Sequence, residues 1–340
     1  MRLFTLLVGA AACQSVIAKV KLQVPYKIDT HHHFLPKEYR AALEKAGGDP
    51  SGWPTPDWSP EASLQNMESN GVRKAILSLT APGATIAPDM QSARLLARQV
   101  NEEAARLSKQ YPGSFGFFAA LPSLMDIPGS LAEIKYALDV LKADGVTLFT
   151  RYGDGNNYLG HGIFTPIWQE LDARKAVVFI HPTHPVNTSW TNPILPQPVI
   201  DYPHETTRTA VDLIIGNVTQ KFPNCPKILS HAGGSLPYLI SRIATTSKAT
   251  ESSKLTFGKT SEEIMSDFQS FYYDLALSSS PAVLNMVLEL VPHAQITYGS
   301  DFPYADSAKI AGFREELDSF HMERKLREMI YHGNIEELLG

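Results

Sequence analysis

The sequence predicts an α/β protein, a closed (β/α)8 TIM barrel with loop insertions over its C-terminal mouth. Two observations carry this. Eight short segments, apolar on both faces, recur between residues 26 and 303. Amphipathic helical stretches separate them, the pattern of a parallel sheet buried on both sides. A doubly wound open sheet uses the same parts. No Gly-x-Gly-x-x-Gly turn follows the first strand, which weakens a dinucleotide-binding reading.

The expected strands are 26–34, 74–80, 115–121, 145–151, 176–182, 227–233, 271–277 and 296–303, each bounded by Gly, Pro or polar residues. Between them Ala93, Leu96, Val100, Ala104 and Leu107 recur at steps of three and four, as do Leu131, Ile134, Leu138 and Leu141. A third helical face runs through Val211, Ile214, Ile215, Val218 and Phe222, ending at Pro223. Two long insertions follow the first and fifth strands. Residues 35–66 contain Trp53, Pro54, Pro56, Trp58 and Pro60, and residues 183–203 are rich in Pro and Asn and carry Trp190. In a barrel both lie over the mouth, as lids or pocket walls.

The 340 residues are 44% hydrophobic and 19% charged, enough apolar material for a full core. Net charge is −5 and no Lys/Arg block occurs, which argues against a nucleic-acid partner. Residues 1–18 read as a signal peptide: Arg2, an apolar run from Leu3 to Cys13, then Val16-Ile17-Ala18 before the cut. The run is too short and too soon interrupted to span a membrane. Residues 19–340 then form one barrel domain, secreted or in the secretory pathway, with no membrane association after the leader is removed. The alternative is an N-terminal extension on a cytosolic enzyme. Cleavage leaves Cys225 alone, so no internal disulfide is expected. Asn187-Thr188-Ser189 and Asn217-Val218-Thr219 match glycosylation sequons.

The chemistry is concentrated at strand ends. The first strand ends in Asp29-Thr30-His31-His32-His33, the fifth in His181-Pro182, the sixth in His231-Ala232-Gly233-Gly234, and the eighth in Asp301-Phe302-Pro303. Alternation puts His31 and His33 on one face, roughly 7 Å apart along the strand, with His32 turned away to pack against a helix. A histidine on an apolar strand is usually a hydrogen-bonded structural group. Four His/Asp ends aimed at one mouth are better explained by a metal site.

These elements make the chain similar to the amidohydrolase superfamily, in its aminocarboxymuconate-semialdehyde decarboxylase branch. The matching elements are Asp29-x-His31-x-His33, Ile180-His181-Pro182, Ser230-His231-Ala232-Gly233-Gly234 and Gly299-Ser300-Asp301-Phe302-Pro303, with Glu205-Thr206-Thr207 as a further segment. Within the branch the chain most resembles fungal 6-methylsalicylate decarboxylases, which remove CO2 from polyketide-derived hydroxybenzoic acids. The resemblance implies that His31, His33, His181 and Asp301 ligate one divalent ion, Zn2+ first and Mn2+ second, and that His231 is a catalytic histidine outside the ligand set. It also implies a homodimer. Three imidazoles and a carboxylate suit Zn2+ and leave an open position. Asp29, two residues from His31, is expected on the same face in a supporting role. Asp274 is expected to be a supporting or interface residue.

The fourth strand holds no lysine, unlike many binuclear hydrolases of the superfamily, so a mononuclear site is expected. Arg151 at its end either pairs with a substrate carboxylate or lies at the surface. Trp190, Phe302 and the first insertion are expected to supply apolar walls. The substrate is then a small aromatic carboxylic acid such as 6-methylsalicylate or orsellinate. Asp301 is the first candidate proton donor to the ring, partnered by His231; water activated by His231 is the rival route. Two other readings remain open: a metal-dependent hydrolase of a lactone or amide, and an inactive secreted binding protein.

Overall fold

The computed structural model describes residues 25–247 and 257–340. The leader-like residues 1–18 lie outside the described residues. The strands are β1 (Lys27–Phe34), β2 (Val72–Leu79), β3 (Phe115–Ala119), β4 (Gly145–Phe149), β5 (Arg151–Tyr152), β6 (Asn157–Tyr158), β7 (Val177–His181), β8 (Lys227–Leu229), β9 (Tyr272–Asp274) and β10 (Ile296–Thr297). Eight of them form one parallel sheet in the order β1-β2-β3-β4-β7-β8-β9-β10, at the eight expected places. The later strands are shorter than expected because the chain turns at the mouth soon after each one.

The sheet closes through the chain that follows β10. Thr30 N donates to Tyr298 O at 3.0 Å, Asp301 N to His31 O at 2.9 Å, and His33 N to Phe302 O at 2.7 Å. This seam joins the first strand to the last and brings Asp301 against β1. Inside the barrel, Ile28, Ile76, Phe118, Val177, Phe179 and Ile228 pack together over Ile335 of the final helix Asn334–Leu339. They form the apolar floor on which the mouth residues stand. Phe179 meets His31 edge to face, ring centroids 5.0 Å apart.

One irregularity in β1 matters for the site. Asp29 pairs with Ala75 and His32 with Leu77, so the register shifts between them and strict alternation fails. Asp29 therefore leaves the face of His31 on which it was expected, and its Oδ2 meets His32 Nδ1 at 3.0 Å. His32 does face away from the mouth, with Nε2 3.0 Å from Ser63 Oγ of the helix Pro60–Asn70.

The helix Met90–Gln110 buries Ala93, Leu96, Val100, Ala104 and Leu107, as their spacing predicts, and Asp89 caps it by accepting from Ser92 N. The face expected to run to Phe222 is broken. The helix Gln197–Ile215 stops at Gly216, Asn217 takes a left-handed φ of 62°, and a short turn Val218–Lys221 follows. The hairpin β5–β6 was not expected. Gly153-Asp154-Gly155-Asn156 between tyrosine-bearing ends is its sequence signal.

Candidate metal centre

His31 and His33 of β1, His181 closing β7 and Asp301 after β10 offer four ligand atoms within 4.8 Å of one another, all on buried residues. It is the one such group among the described residues. His31 Nε2 lies 3.1 Å from His33 Nε2, and Asp301 Oδ1 lies 3.3 Å and 3.2 Å from these two nitrogens. The His181 ring stands 4.7 Å from that of His33. Close packing beneath His31 needs a glycine: a Cβ on Gly299 would come 2.8 Å from His31 Cβ.

Each imidazole has an acceptor behind it. His31 Nδ1 faces Asp274 Oδ2 at 2.9 Å, His33 Nδ1 faces Ser78 O at 3.3 Å, and His181 Nδ1 faces Pro182 O at 2.7 Å. These partners hold a proton on each Nδ1, so that a bound metal would meet three Nε2 lone pairs, that of His31 only after it gives up a second proton. The donor set therefore fits one divalent metal ion. Electrostatics agree. Burial disfavours charge on His31, but Asp274 and Asp301 outweigh it and lift its pKa to about 10. Burial pushes His33 down and His181 well down. Asp301, which burial alone would raise, is held well below the usual carboxylate range by hydrogen bonds from His231, His31 and His33. Burial thus favours neutral His33 and His181, and the hydrogen bonds favour an ionised Asp301, the states in which these side chains can ligate.

Asp301 takes a left-handed φ of 64°, which a short polar residue tolerates, and its O accepts from Ala305 N at 2.8 Å. That turn aims both carboxylate oxygens at separate partners. Oδ1 faces His31 and His33, while Oδ2 lies 3.7 Å from His231 Nε2. His231 also has a left-handed φ, of 55°, and its N donates to Asp274 Oδ1 at 3.1 Å. Its buried Nδ1 has no hydrogen-bond partner among the described residues. Asp274 thus braces both His31 and His231. Replacing it by Asn should weaken metal affinity about 10- to 100-fold, read by metal titration of the folded variant. Unchanged affinity would show that His31 keeps its orientation without it.

Three expected wall and binding residues lie elsewhere. Arg151 is buried but spends its guanidinium on backbone: Nε donates to His184 O at 3.0 Å, and Nη1 to Gly153 O and Gly155 O at 2.8 and 3.0 Å. It braces the β5–β6 loop and is not a cavity wall. Phe302 stacks on His32, centroids 4.9 Å apart, in a small cluster with Ala305 and Ile310, and of these only Ala305 lines the cavity. Trp190 lies over Gly52, where a Cβ would come 2.1 Å from its ring, and so ties the second insertion to the first. Asp29 stitches the seam: Oδ1 accepts from Ser300 N and His31 N, and Oδ2 from Ser300 Oγ.

The cavity over the centre is about 460 Å³. His33, His181, His231 and Asp301 form its base, and Asp49, Trp53, Thr80, Tyr202 and Tyr304 stand around it. The sequence singles out none of Asp49, Thr80, Tyr202 and Tyr304, although Asp49, like Trp53, lies in the first insertion and Tyr202 in the second, the two loops expected over the mouth. His204 is exposed and His184 half-buried, outside the lining. Among the described residues no helix is long and apolar enough to cross a membrane.

Fold and site together define a barrel built to hold a divalent metal at the C-terminal ends of its strands. A family model described as amidohydrolase matches residues 28–340. The chain belongs to the amidohydrolase family. It is 48% identical over 312 residues to a 6-methylsalicylic acid decarboxylase of Penicillium expansum, covering 92% of this chain and 95% of the relative. It is 50% identical over 288 residues to one of Aspergillus aculeatus, covering 84% and 87%. Among solved structures, an amidohydrolase II matches with a TM-score of 0.84 at 30% identity, covering 92% of this chain and 99% of the other. A dihydroxybenzoic acid decarboxylase from a Polaromonas species, with bound manganese and 2-nitroresorcinol, shares the fold at 22% identity and a TM-score of 0.78, covering 93% and 97%.

Proposed function

We propose that this protein is a metal-dependent, non-oxidative decarboxylase that releases CO2 from a hydroxylated aromatic acid such as 6-methylsalicylate or orsellinate, within polyketide secondary metabolism. The observation that carries this reading is Asp301, one oxygen of which faces the metal-binding imidazoles while the other faces His231. The two relatives named as 6-methylsalicylic acid decarboxylases, similar over nearly their whole length, support the substrate class.

His31, His33, His181 and Asp301 would hold the ion. Zn2+ is the first choice from three imidazoles and a carboxylate, and Mn2+, present in a structural neighbour, is the second. A divalent ion held there would supply a fixed positive charge that stabilises an anionic substrate. The rest falls to the chain. Loss of CO2 leaves an electron pair that the ring resists, so the ring carbon must gain a proton before or as the bond breaks. The proton comes from the Asp301–His231 pair: Asp301 rests as the carboxylate, so the proton is carried on His231 Nε2 and reaches the ring carbon by way of Asp301 Oδ2, 3.7 Å away, while His231 Nδ1 takes a replacement from the phenol. His231 Nδ1, free of protein partners among the described residues, is available to the phenolic oxygen. Trp53 and Leu277 line the cavity with apolar surface, which would shield the ring from water. The barrel strand β4 carries no lysine that could bridge a second ion, which disfavours the binuclear hydrolase chemistry of the superfamily.

The test is incubation of metal-loaded protein with 6-methylsalicylate, orsellinate and a lactone panel. CO2 with 3-methylphenol from the first acid is the expected result. Lactone opening without CO2 would overturn the reading.

The leader-like start supports export, and the exposed Asn187 is an acceptable acceptor in that route. Thr219 of the other sequon is buried. A mature N-terminus at Lys19 in culture medium would establish secretion; an intact Met1 in the cytosol would refute it.

A further inference from the structure

The cavity is larger than the simplest substrate needs. It measures about 460 Å³. A single-ring acid of eleven non-hydrogen atoms, such as 6-methylsalicylate, fills on the order of 200 Å³ at interior packing density. The base, at His33, His181 and Asp301, is buried. The surplus therefore lies outward, where the lining changes character. Pro198 and Val199 of the helix Gln197–Ile215, Phe313 of the helix Ser307–Ser319 and Ala305 face it, and Val199 is 51% exposed. Lys309 is the single lysine or arginine in the lining, and its Nζ is already partnered, by Asp306 at 2.7 Å and by the Trp53 ring, 5.8 Å from its centroid. Pro198, Val199, Ala305 and Phe313 offer no polar side-chain group to a second carboxylate or a sugar. It is an apolar vestibule in continuity with the base.

We infer that the vestibule accepts an alkyl substituent longer than methyl, so that the preferred acid is a hydroxybenzoate with a chain of several carbons. This rests on the hydroxybenzoate decarboxylase reading and narrows its substrate class. Each methylene moved from water into such a lining favours binding by a factor of about two to four. Polar groups deeper in the cavity then serve the ring, and Val199 and Phe313 serve the chain.

The experiment uses the metal-loaded full protein and 2-hydroxybenzoates carrying methyl, propyl, pentyl or heptyl at carbon 6, with a second series substituted at carbon 4. Two readouts are taken, kcat/KM for CO2 release and Kd by calorimetry. The expected result is a Kd that tightens about two- to fourfold per methylene in one series up to pentyl, with kcat/KM rising in parallel. Val199→Ser and Phe313→Ser should flatten that dependence to less than about twofold overall, and leave 6-methylsalicylate turnover within about twofold. A Kd that stays flat or weakens with chain length in both series overturns the inference, as does a length dependence that both variants leave intact. If Kd tightens with chain length but no acid releases CO2, the vestibule stands and the decarboxylase reading falls.

Discussion

His181→Ala protein is expected to fold, to bind metal more than about a hundredfold more weakly, and to release no CO2 at ordinary metal concentrations. Changes to outer partners of metal ligands cost about 10- to 100-fold in affinity, and removing a ligand must exceed that. His181 is chosen because it closes β7, apart from the seam that His31, His33 and Asp301 share. Metal analysis after gel filtration, with circular dichroism for the fold, checks the result; full occupancy would refute the ligand assignment. Metal uptake by the unaltered protein also has a pH signature. His31 is protonated up to about pH 10 in the metal-free protein, and a ligand must lose that proton. Below that pH, uptake releases a proton and affinity should fall roughly tenfold for each unit the pH drops.

The second large effect separates binding from chemistry. His231→Ala should retain metal near the level of the unaltered protein while kcat falls about 10²- to 10⁴-fold, the usual worth of a positioned acid–base group. His231 Nε2 is 3.7 Å from Asp301 Oδ2, on the side away from the oxygen that faces His31 and His33. Loss of metal in this variant would make His231 a ligand instead. Turnover within about tenfold of normal would move the proton to another group.

The barrel and its centre were legible for one reason. Buried parallel strands are continuous apolar runs, and a functional group at the end of such a run is conspicuous, as His181 after Val177–Ile180 shows. Alternation correctly paired His31 with His33. It misplaced Asp29, because a register shift inside a strand has no composition of its own. The cavity lining is harder to read, for a different reason. Arg151, Trp190 and Phe302 lie near strand ends or in mouth loops in the sequence, yet backbone carbonyls, Gly52 and His32 engage their side chains. Asp49, Tyr202 and Tyr304 reach the cavity from three separate segments, and such convergence depends on loop paths that local sequence does not encode.

The seam has a consequence for how the protein comes into being. Ser300 donates to Asp29 across 271 residues of chain, and Asp301 reaches β1 only through the same contacts. Contacts of such separation are slow to form, since the entropy of closing the intervening loop comes before any reward. During synthesis His31 and His33 emerge early, His181 follows at mid-chain, and all three wait for a carboxylate that leaves the ribosome near the end. The chain therefore cannot gather all four donors in a half-made form. A truncated or stalled molecule lacks that fourth donor, and completion of the centre reports completion of the barrel.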